Sequence, residues 1–293
     1  IAGCSIIFGL LFIKGIPKIN LVKSATIGDG IWRFSEEEIL PLVSYFDKHK
    51  NQYTIEKFVP ASGAATRMFK FLNEFLNEFD ADNDTMNSYI NKKNAKDVSI
   101  FIFGLKNFPF YRELKEKTID LFPNYYSLSN DKRYYILIKT LLSEEGLHFS
   151  HKPKGILPFH VKGNKIVTPI EENIFEADFF KKENDKTKIH FTITKEFQAD
   201  FEKITNQFSD CEISFSYQDQ SSDTLAVNED NTPFRVEDDK LFFRPGGHGA
   251  LIENLNALQS DLIYIKNIDN VSQNHTSVIA TYKKVLGGVL IRI

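Results

Sequence analysis

The chain has 293 residues, of which 42% are hydrophobic and 26% are charged, and its formal net charge is −3. This composition is typical of soluble globular proteins and allows one large domain or two smaller ones. The charge balance gives no support for nonspecific nucleic-acid binding, so nucleic acid is not expected as a partner. Two cysteines, Cys4 and Cys211, exclude a disulfide framework and a four-cysteine zinc site. We therefore expect a reducing, cytoplasmic location.

The first fifty residues predict a helical extension in front of a main domain at residues 51–293. Residues 1–13 are nearly all apolar, but they are too short to span a bilayer, and no basic segment precedes them as in a signal peptide. We expect a packed helix there and no membrane partner. Ser35 and Glu38 have the spacing of a capping box, which predicts another helix to about His49. Because no initiating methionine is present, we expect the sequence to be part of a longer protein.

A strand, a turn of small residues and a helix are predicted in succession between residues 53 and 76. Residues 53–59 alternate as in a short strand, small residues follow, and helical spacing begins at Thr66. Such a turn presents backbone N–H groups and a helix N-terminus to the phosphates of a ligand. The turn residues predicted to bind phosphate are Ala61, Ser62, Gly63, Ala64 and Thr66. A βα turn without a ligand gives the same pattern, so both interpretations stay open here.

Residues 71–150 are predicted to be mainly helical, because aromatic and aliphatic residues recur there at helical intervals. We expect this span to be a helical insertion outside the central sheet, with residues 80–94 as an exposed excursion. Further along, strands at 188–194 and 213–218 alternate with helices. This alternation predicts an α/β fold with a mainly parallel sheet.

Two stretches near the end of the chain predict a binding site. The first is the glycine-rich loop Arg244-Pro245-Gly246-Gly247-His248-Gly249-Ala250, which leads into a helix-like segment. In the second, the apolar run 262–268 predicts a central strand that ends at Asp269. In an open α/β sheet, ligands bind beyond the carboxyl ends of the strands. A carboxylate there, beside glycines, suits a metal–phosphate site, whereas a plain strand-end cap is the alternative. The final run, 288–293, is predicted to be strand-like.

Together these segments resemble the signature of the UDP-sugar pyrophosphorylases, in which a Pro-Gly-His-Gly loop precedes a helix and a strand ending in Asn-x-Asp-Asn. The turn is similar to that family's Gly-x-Gly-Thr-Arg loop at Gly63, Thr66 and Arg67, although Ala65 stands where the family usually has its second glycine. Pro153-Lys154 and the residues after it resemble the family's Pro-Lys segment. In that family a strand often ends in a glutamine that contacts the nucleotide. The predicted strand at residues 213–218 likewise ends in a glutamine, Gln218.

The resemblance implies a Rossmann-like nucleotidyltransferase (GT-A-like) fold with a central, mostly parallel mixed sheet and the helical insertion. It implies a reaction that joins a UTP-like nucleoside triphosphate and a sugar 1-phosphate into a nucleotide sugar, with Mg²⁺ and with release of pyrophosphate. The implied catalytic residues are Arg67, Lys154 and Asp269, and Asp269 is also the implied metal ligand. The implied nucleotide and substrate ligands are Ala61, Ser62, Gly63, Ala64, Thr66, Gln218, Gly246, Gly247, His248 and Asn267.

The whole chain resembles still more closely an uncharacterised bacterial (Bacteroidetes-type) domain family with the same motifs. The matching segments are residues 25–30, 59–64, 153–155 and 244–256. A non-catalytic protein that binds a nucleotide or a nucleotide sugar is the competing hypothesis, because Ala65 departs from the pyrophosphorylase pattern and a second metal carboxylate is not evident. The base, the sugar and the oligomeric state do not follow from the sequence.

Overall fold

The computed structural model describes residues 14–15, 18–182 and 184–293. The prediction of a helix over residues 1–13 lies outside these described residues. The helices are α1 (Glu36–His49), α2 (Lys70–Glu78), α3 (Met86–Lys93), α4 (Lys96–Gly104), α5 (Tyr111–Leu121), α6 (Asn130–Leu142), α7 (Pro169–Ala177), α8 (Gln198–Thr205), α9 (Ile252–Asn256) and α10 (Thr276–Arg292). The strands are β1 (Thr26–Ile27), β2 (Gly30–Ile31), β3 (Ile55–Pro60), β4 (His160–Lys162), β5 (Lys165–Val167), β6 (Thr187–Ile193), β7 (Cys211–Tyr217), β8 (Thr224–Leu225), β9 (Arg235–Val236), β10 (Lys240–Leu241), β11 (Phe243–Arg244) and β12 (Leu262–Ile265).

The central sheet has four parallel strands in the order β12-β3-β6-β7. This arrangement confirms the prediction of an α/β fold with a parallel sheet. The prediction of a mixed sheet is wrong for the described residues, because the antiparallel pairs, such as β4 with β5, form separate two-stranded sheets. Counted along the chain from β3, the strands lie in the order 3-2-1-4, so the direction of winding reverses between β3 and β12. That reversal is the place where open α/β sheets bind ligands.

Side chains that alternate along the strands build a core on one face of the sheet. Val59, Ile189 and Phe191 are fully buried there and form one cluster with Ile170 of α7 and Phe201 of α8. Thr168 and Glu171 make the capping box that starts α7. The helix α7 is therefore fixed both by its cap and by the apolar side that it turns to the sheet.

Residues 71–150, all of which the structure describes, contain helices and no strand of the central sheet. Helices α2 to α6 share a second apolar core, in which Phe75 packs edge-on against Tyr89 with ring centroids 5.2 Å apart. Residues 80–94 are mostly exposed, as predicted, but the second half of this span is the helix α3 and not an irregular excursion. Helix α3 forms there because its apolar side, with Met86 and Tyr89, is buried in this core.

The end of the chain is helical, and the prediction of a strand at residues 288–293 is wrong. Helix α10 runs through these residues and packs along α1. A short apolar run fits a buried strand or a buried helix equally well, and here the partner decides. Gly287 and Gly288 face α1 so closely that a Cβ at Gly288 would lie 2.4 Å from the carbonyl oxygen of Leu42. Two glycines inside an apolar run thus mark the contact between the two helices.

Replacing Gly288 with alanine is expected to destabilise the fold by about 1–3 kcal/mol, because the new methyl group forces the two helix backbones apart. On propensity alone the same change inside a helix would stabilise by about 1 kcal/mol. Urea denaturation measures the difference. Gly104→Ala is the matched control, since a Cβ at Gly104 meets no atom within 4 Å. Equal stability of Gly288→Ala and the wild type would contradict the close packing of α1 and α10.

Candidate functional site

The turn after β3 lies at the carboxyl edge of the sheet, beside the point where the winding reverses. Ala61 is fully buried, and its N–H donates to the carbonyl oxygen of Thr192 in β6 at 2.8 Å. Within the described ranges, the backbone N–H groups of Ser62, Gly63 and Ala64 donate to no protein acceptor. Gly63 and Ala64 are exposed, and a Cβ at Gly63 would meet no atom within 4 Å. These three amides have no acceptor among the described residues, which makes them the candidate donors to an anion at this edge of the sheet.

The residues after the turn differ from the prediction. Helix α2 begins at Lys70 and not at Thr66, because residues 66–69 form turns and Phe69 is the N-cap. The Thr66 hydroxyl donates to the carbonyl oxygen of Ser150 at 3.0 Å, so it holds a neighbouring loop. The N–H of Ala65 is also engaged, by the carbonyl oxygen of Lys152 at 3.1 Å. Ala65 has no positive φ, so alanine is not strained where the pyrophosphorylases have glycine.

The groove that Arg67 lines does not include the free amides of the turn. It lies between α2 and α4 and is also lined by Phe71 and Ile100. The groove has a volume of about 700 Å³. The side chain of Arg67 makes no hydrogen bond or ion pair with the residues that the structure describes, and its catalytic role stays a prediction.

Lys154 links the turn after β3 to Asp269. Its backbone N–H donates to the carbonyl oxygen of Gly63 at 3.0 Å, which anchors the lysine beside the turn. Its Nζ donates to Oδ2 of Asp269 at 2.7 Å, and the two side chains are 23% and 45% exposed. Gly155 packs closely here, because a Cβ there would lie 3.2 Å from the side chain of Ile268. The structure thus brings together three segments that the sequence proposed separately.

Asp269 lies beyond the edge strand β12, which ends at Ile265. The prediction of a central strand reaching to Asp269 is therefore wrong, because the chain leaves the sheet before this residue. The hydrogen bond from Lys154 lowers the pKa of the Asp269 carboxyl below its ordinary value, and the nearby charge of His248 acts in the same direction.

Three buried polar side chains of α7 hold the loop that carries Asp269. Asn173 donates to the carbonyl oxygen of Ile268 at 3.4 Å, Glu172 accepts from Gln273, and Glu176 accepts from Lys266. Glu172, Asn173 and Glu176 are 7%, 0% and 4% exposed. These contacts were not predicted from the sequence.

Glu176 also binds two further lysines in a buried cluster. Lys57 donates to Glu176 at 2.9 Å and to the carbonyl oxygen of Asn173 at 2.9 Å, and Lys283 donates to Glu176 at 2.6 Å. Burial lowers the pKa of Lys57 to about 7 against the attraction of Glu176. Burial alone would raise the pKa of Glu176, but the lysines, with Lys57 first, outweigh it and hold the value at about 2. A lysine in an inward position of β3 is the sequence signal that could have revealed this cluster.

Gln218 and the glycine loop meet beyond the carboxyl end of β7, the outer strand opposite β12. Gln218 follows β7 and donates to Oγ of Ser222 at 3.2 Å. A Cβ at Gly246 would lie 2.8 Å from the carbonyl oxygen of Ser222 and 3.5 Å from Nε2 of Gln218, so only glycine fits there. Gly247 and His248 are exposed. Their helix-like continuation is a short turn at His248–Leu251 followed by α9.

The residues present fit Mg²⁺ only together with a phosphate ligand. Within the described part of the chain, no group of three or more His, Cys, Asp or Glu could hold a metal ion. Asp269 supplies one carboxylate, and Asn267, which is half-buried, lies on the same loop. Mg²⁺ commonly binds through one or two carboxylates plus phosphate oxygens and waters. The donor set therefore suits a metal ion that enters with a phosphorylated ligand.

The fold and the site define an α/β protein with free amides, a lysine–aspartate pair and a glycine loop at the carboxyl edge of a parallel sheet. The chain matches the model of a family described as Domain of unknown function (DUF4301) over residues 10–293, and it belongs to that family. No curated protein and no solved structure matches the chain. The match agrees with the predicted resemblance to an uncharacterised family. None of the helices in the described ranges is long and apolar enough to cross a membrane.

Proposed function

We propose that the protein is a nucleotidyltransferase of the UDP-sugar pyrophosphorylase kind, with a Rossmann-like nucleotidyltransferase fold and a cytoplasmic location. The observation that carries the proposal is the row of free amides at Ser62, Gly63 and Ala64 beside the Lys154–Asp269 pair. Both lie where the order of the parallel strands reverses. Amides, an ammonium group and a single carboxylate in this position suit a triphosphate and its metal ion.

The reaction needs no covalent nucleophile from the protein. An oxygen of the sugar 1-phosphate bonds to the α-phosphorus of the triphosphate, the bond from that phosphorus to the bridging oxygen breaks, and pyrophosphate leaves. Such a transfer depends on positioning and on charge neutralisation. We assign the free amides and Lys154 to the triphosphate, and Gln218, Gly247 and His248 to the nucleotide or the sugar. Bound Mg²⁺ would neutralise phosphate charge at Asp269.

A non-catalytic nucleotide or nucleotide-sugar binding protein is the second candidate. Two observations favour it. The N–H of Ala65 donates to the carbonyl oxygen of Lys152 and is therefore not available to a phosphate. Asp269 is also not part of a group of three or more metal-binding side chains among the described residues. Both candidates require phosphate at the turn, and they differ only in turnover.

One experiment tests both candidates in two steps. A thermal-shift panel of nucleoside triphosphates and nucleotide sugars, with and without Mg²⁺, identifies any ligand that raises the melting temperature of the protein. Exchange of labelled pyrophosphate into the triphosphate is then measured with a panel of sugar 1-phosphates. A stabilising nucleotide with exchange supports the transferase, and a stabilising nucleotide without exchange supports the binding protein. No stabilisation by any nucleotide would contradict both.

Replacing Gly63 with valine is expected to weaken triphosphate binding by about two orders of magnitude, which corresponds to ~2.7 kcal/mol. The new side chain would point into the open space beside the free amides and exclude a phosphate, while the fold has room for it. Calorimetric titration measures the affinity, and Gly63→Ala provides a smaller step in the same direction. An unchanged affinity in Gly63→Val, at an unchanged melting temperature, would remove this turn from the site.

A further inference from the structure

The Lys154–Asp269 pair places an ammonium group on Asp269, the carboxylate that the proposed function assigns to a metal ion. Nζ and Oδ2 are 2.7 Å apart, and both side chains are partly exposed. A divalent cation bound to Asp269 would lie within a few ångströms of this ammonium group and would be repelled by it. Within the described residues, no group of three or more His, Cys, Asp or Glu side chains surrounds the pair to offset the repulsion. Without a bound ligand, the ammonium group of Lys154 therefore opposes the binding of a metal ion at Asp269.

A phosphate on the turn can remove this obstacle without a change in the backbone. The N–H of Lys154 is bonded to Gly63, so the start of the side chain is fixed next to the free amides. A lysine side chain is flexible and carries a compact charge, so it can turn from one anion to another. A phosphate at Ser62, Gly63 and Ala64 would attract the ammonium group from Asp269. The carboxylate would then be free when phosphate oxygens are also available to the metal ion.

We propose that the Lys154–Asp269 pair is a latch that keeps divalent cations out of the site until a nucleotide phosphate draws Lys154 away. The inference rests on the proposed function, because it requires phosphate at the turn. Its consequence is positive coupling between nucleotide and metal binding. Such coupling is reciprocal, so the metal ion increases nucleotide affinity by the same factor.

The test uses Mn²⁺ as the probe and the full chain without nucleotide. Paramagnetic broadening of the backbone amide signals of residues 268–270 reports metal at Asp269 even when binding is weak. Lys154→Met, which removes the ammonium group and keeps much of the apolar stem, is expected to show this broadening at about tenfold lower Mn²⁺ than the wild type. Adding Asp269→Asn to Lys154→Met is expected to abolish the gain.

The matched control is Lys132→Met, which removes the lysine of another Lys–Asp pair, Lys132–Asp82 at 2.8 Å. It is expected to leave the signals of residues 268–270 unchanged. The amide spectrum of each variant shows whether the variant is folded, and Lys154→Gln replaces Lys154→Met if that variant is not. Equal broadening in the wild type and in the Lys154 variant would overturn the latch. So would a gain that survives Asp269→Asn.

A second arm separates failure of the latch from failure of the proposed function. UTP, or the nucleotide that stabilises best in the thermal-shift panel, is added to the wild type before Mn²⁺. The latch requires broadening at residues 268–270 at about tenfold lower Mn²⁺ than without the nucleotide. A nucleotide that binds without this gain would overturn the latch and leave the proposed function standing. If no nucleotide binds, the proposed function fails. The coupling between nucleotide and metal binding then fails with it, even if Lys154→Met binds Mn²⁺ more tightly than the wild type.

Discussion

Asp269→Asn is expected to reduce Mg²⁺-dependent pyrophosphate exchange by about 10²–10³-fold, the range measured when one preorganised polar group is removed from an active site. Asparagine keeps the shape of the side chain and removes the charge that would hold the metal ion. The melting temperature without ligand should change little, because the carboxylate is 45% exposed and pairs with a partly exposed lysine. Exchange rates and thermal denaturation of the same preparations give both values.

Asp82→Asn is the control for the Asp269 substitution, since Asp82 also pairs with a lysine at 2.8 Å but lies on the helical part of the chain. It should leave both the exchange rate and the melting temperature near their wild-type values. An Asp269→Asn variant that loses stability and keeps its ligand response would identify Asp269 as a structural cap. The active-site assignment would then be wrong.

Local patterns in the sequence were sufficient for the elements that depend on local physics. The capping box at Ser35 starts a helix where it was expected, because a cap is made by residues close together in the chain. The alternation in β3, β6 and β7 likewise appears as strands of a parallel sheet. The prediction of a strand at residues 288–293 failed because an apolar run does not specify the element against which it packs. Only the contact of Gly288 with Leu42 in α1 decides for a helix.

The candidate site was predicted in pieces, and the structure assembles some of them. Gly63, Lys154 and Asp269 come from three distant segments and are joined by two hydrogen bonds. Arg67 lines a groove that does not include the free amides, and Thr66 is engaged by Ser150. Sequence order carries no information on the direction in which a side chain leaves a turn, so these two assignments needed the three-dimensional structure.

The buried cluster around Glu176 could not have been assembled from the sequence alone. Its lysines, Lys57, Lys266 and Lys283, belong to β3, to the loop after β12 and to α10. The inward position of Lys57 in β3 indicates one buried charge, but Lys266 and Lys283 would each pass as a surface residue. Together they leave a buried site with more positive than negative charge, which is stable only while the one carboxylate is ionised.

Glu176→Gln is therefore expected to destabilise the protein by about 3–5 kcal/mol, because an amide removes the counter-charge of Lys266 and Lys283 and of the partly charged Lys57, whose pKa is about 7. This is a large part of the 5–15 kcal/mol that is typical of a folded domain. Urea denaturation at neutral pH measures the loss. Adding Lys57→Met should return part of it by removing one uncompensated charge. Glu212→Gln is the control, since Glu212 is 61% exposed and pairs with Lys188 on the surface.

The effect of Glu176→Gln should also depend on pH. The pKa of Glu176 is lowered from 4.5 to about 2, so its stabilisation is fully present above pH 4.5 and is lost as the pH falls towards 2. The gap in stability between the wild type and Glu176→Gln should therefore narrow over that range. Because Lys266 ties this cluster to the loop of Asp269, the variant should also respond less to Mg²⁺ and nucleotide above pH 4.5. A gap in stability that stays constant from neutral pH to pH 2 would show that the charge of Glu176 does not stabilise the fold.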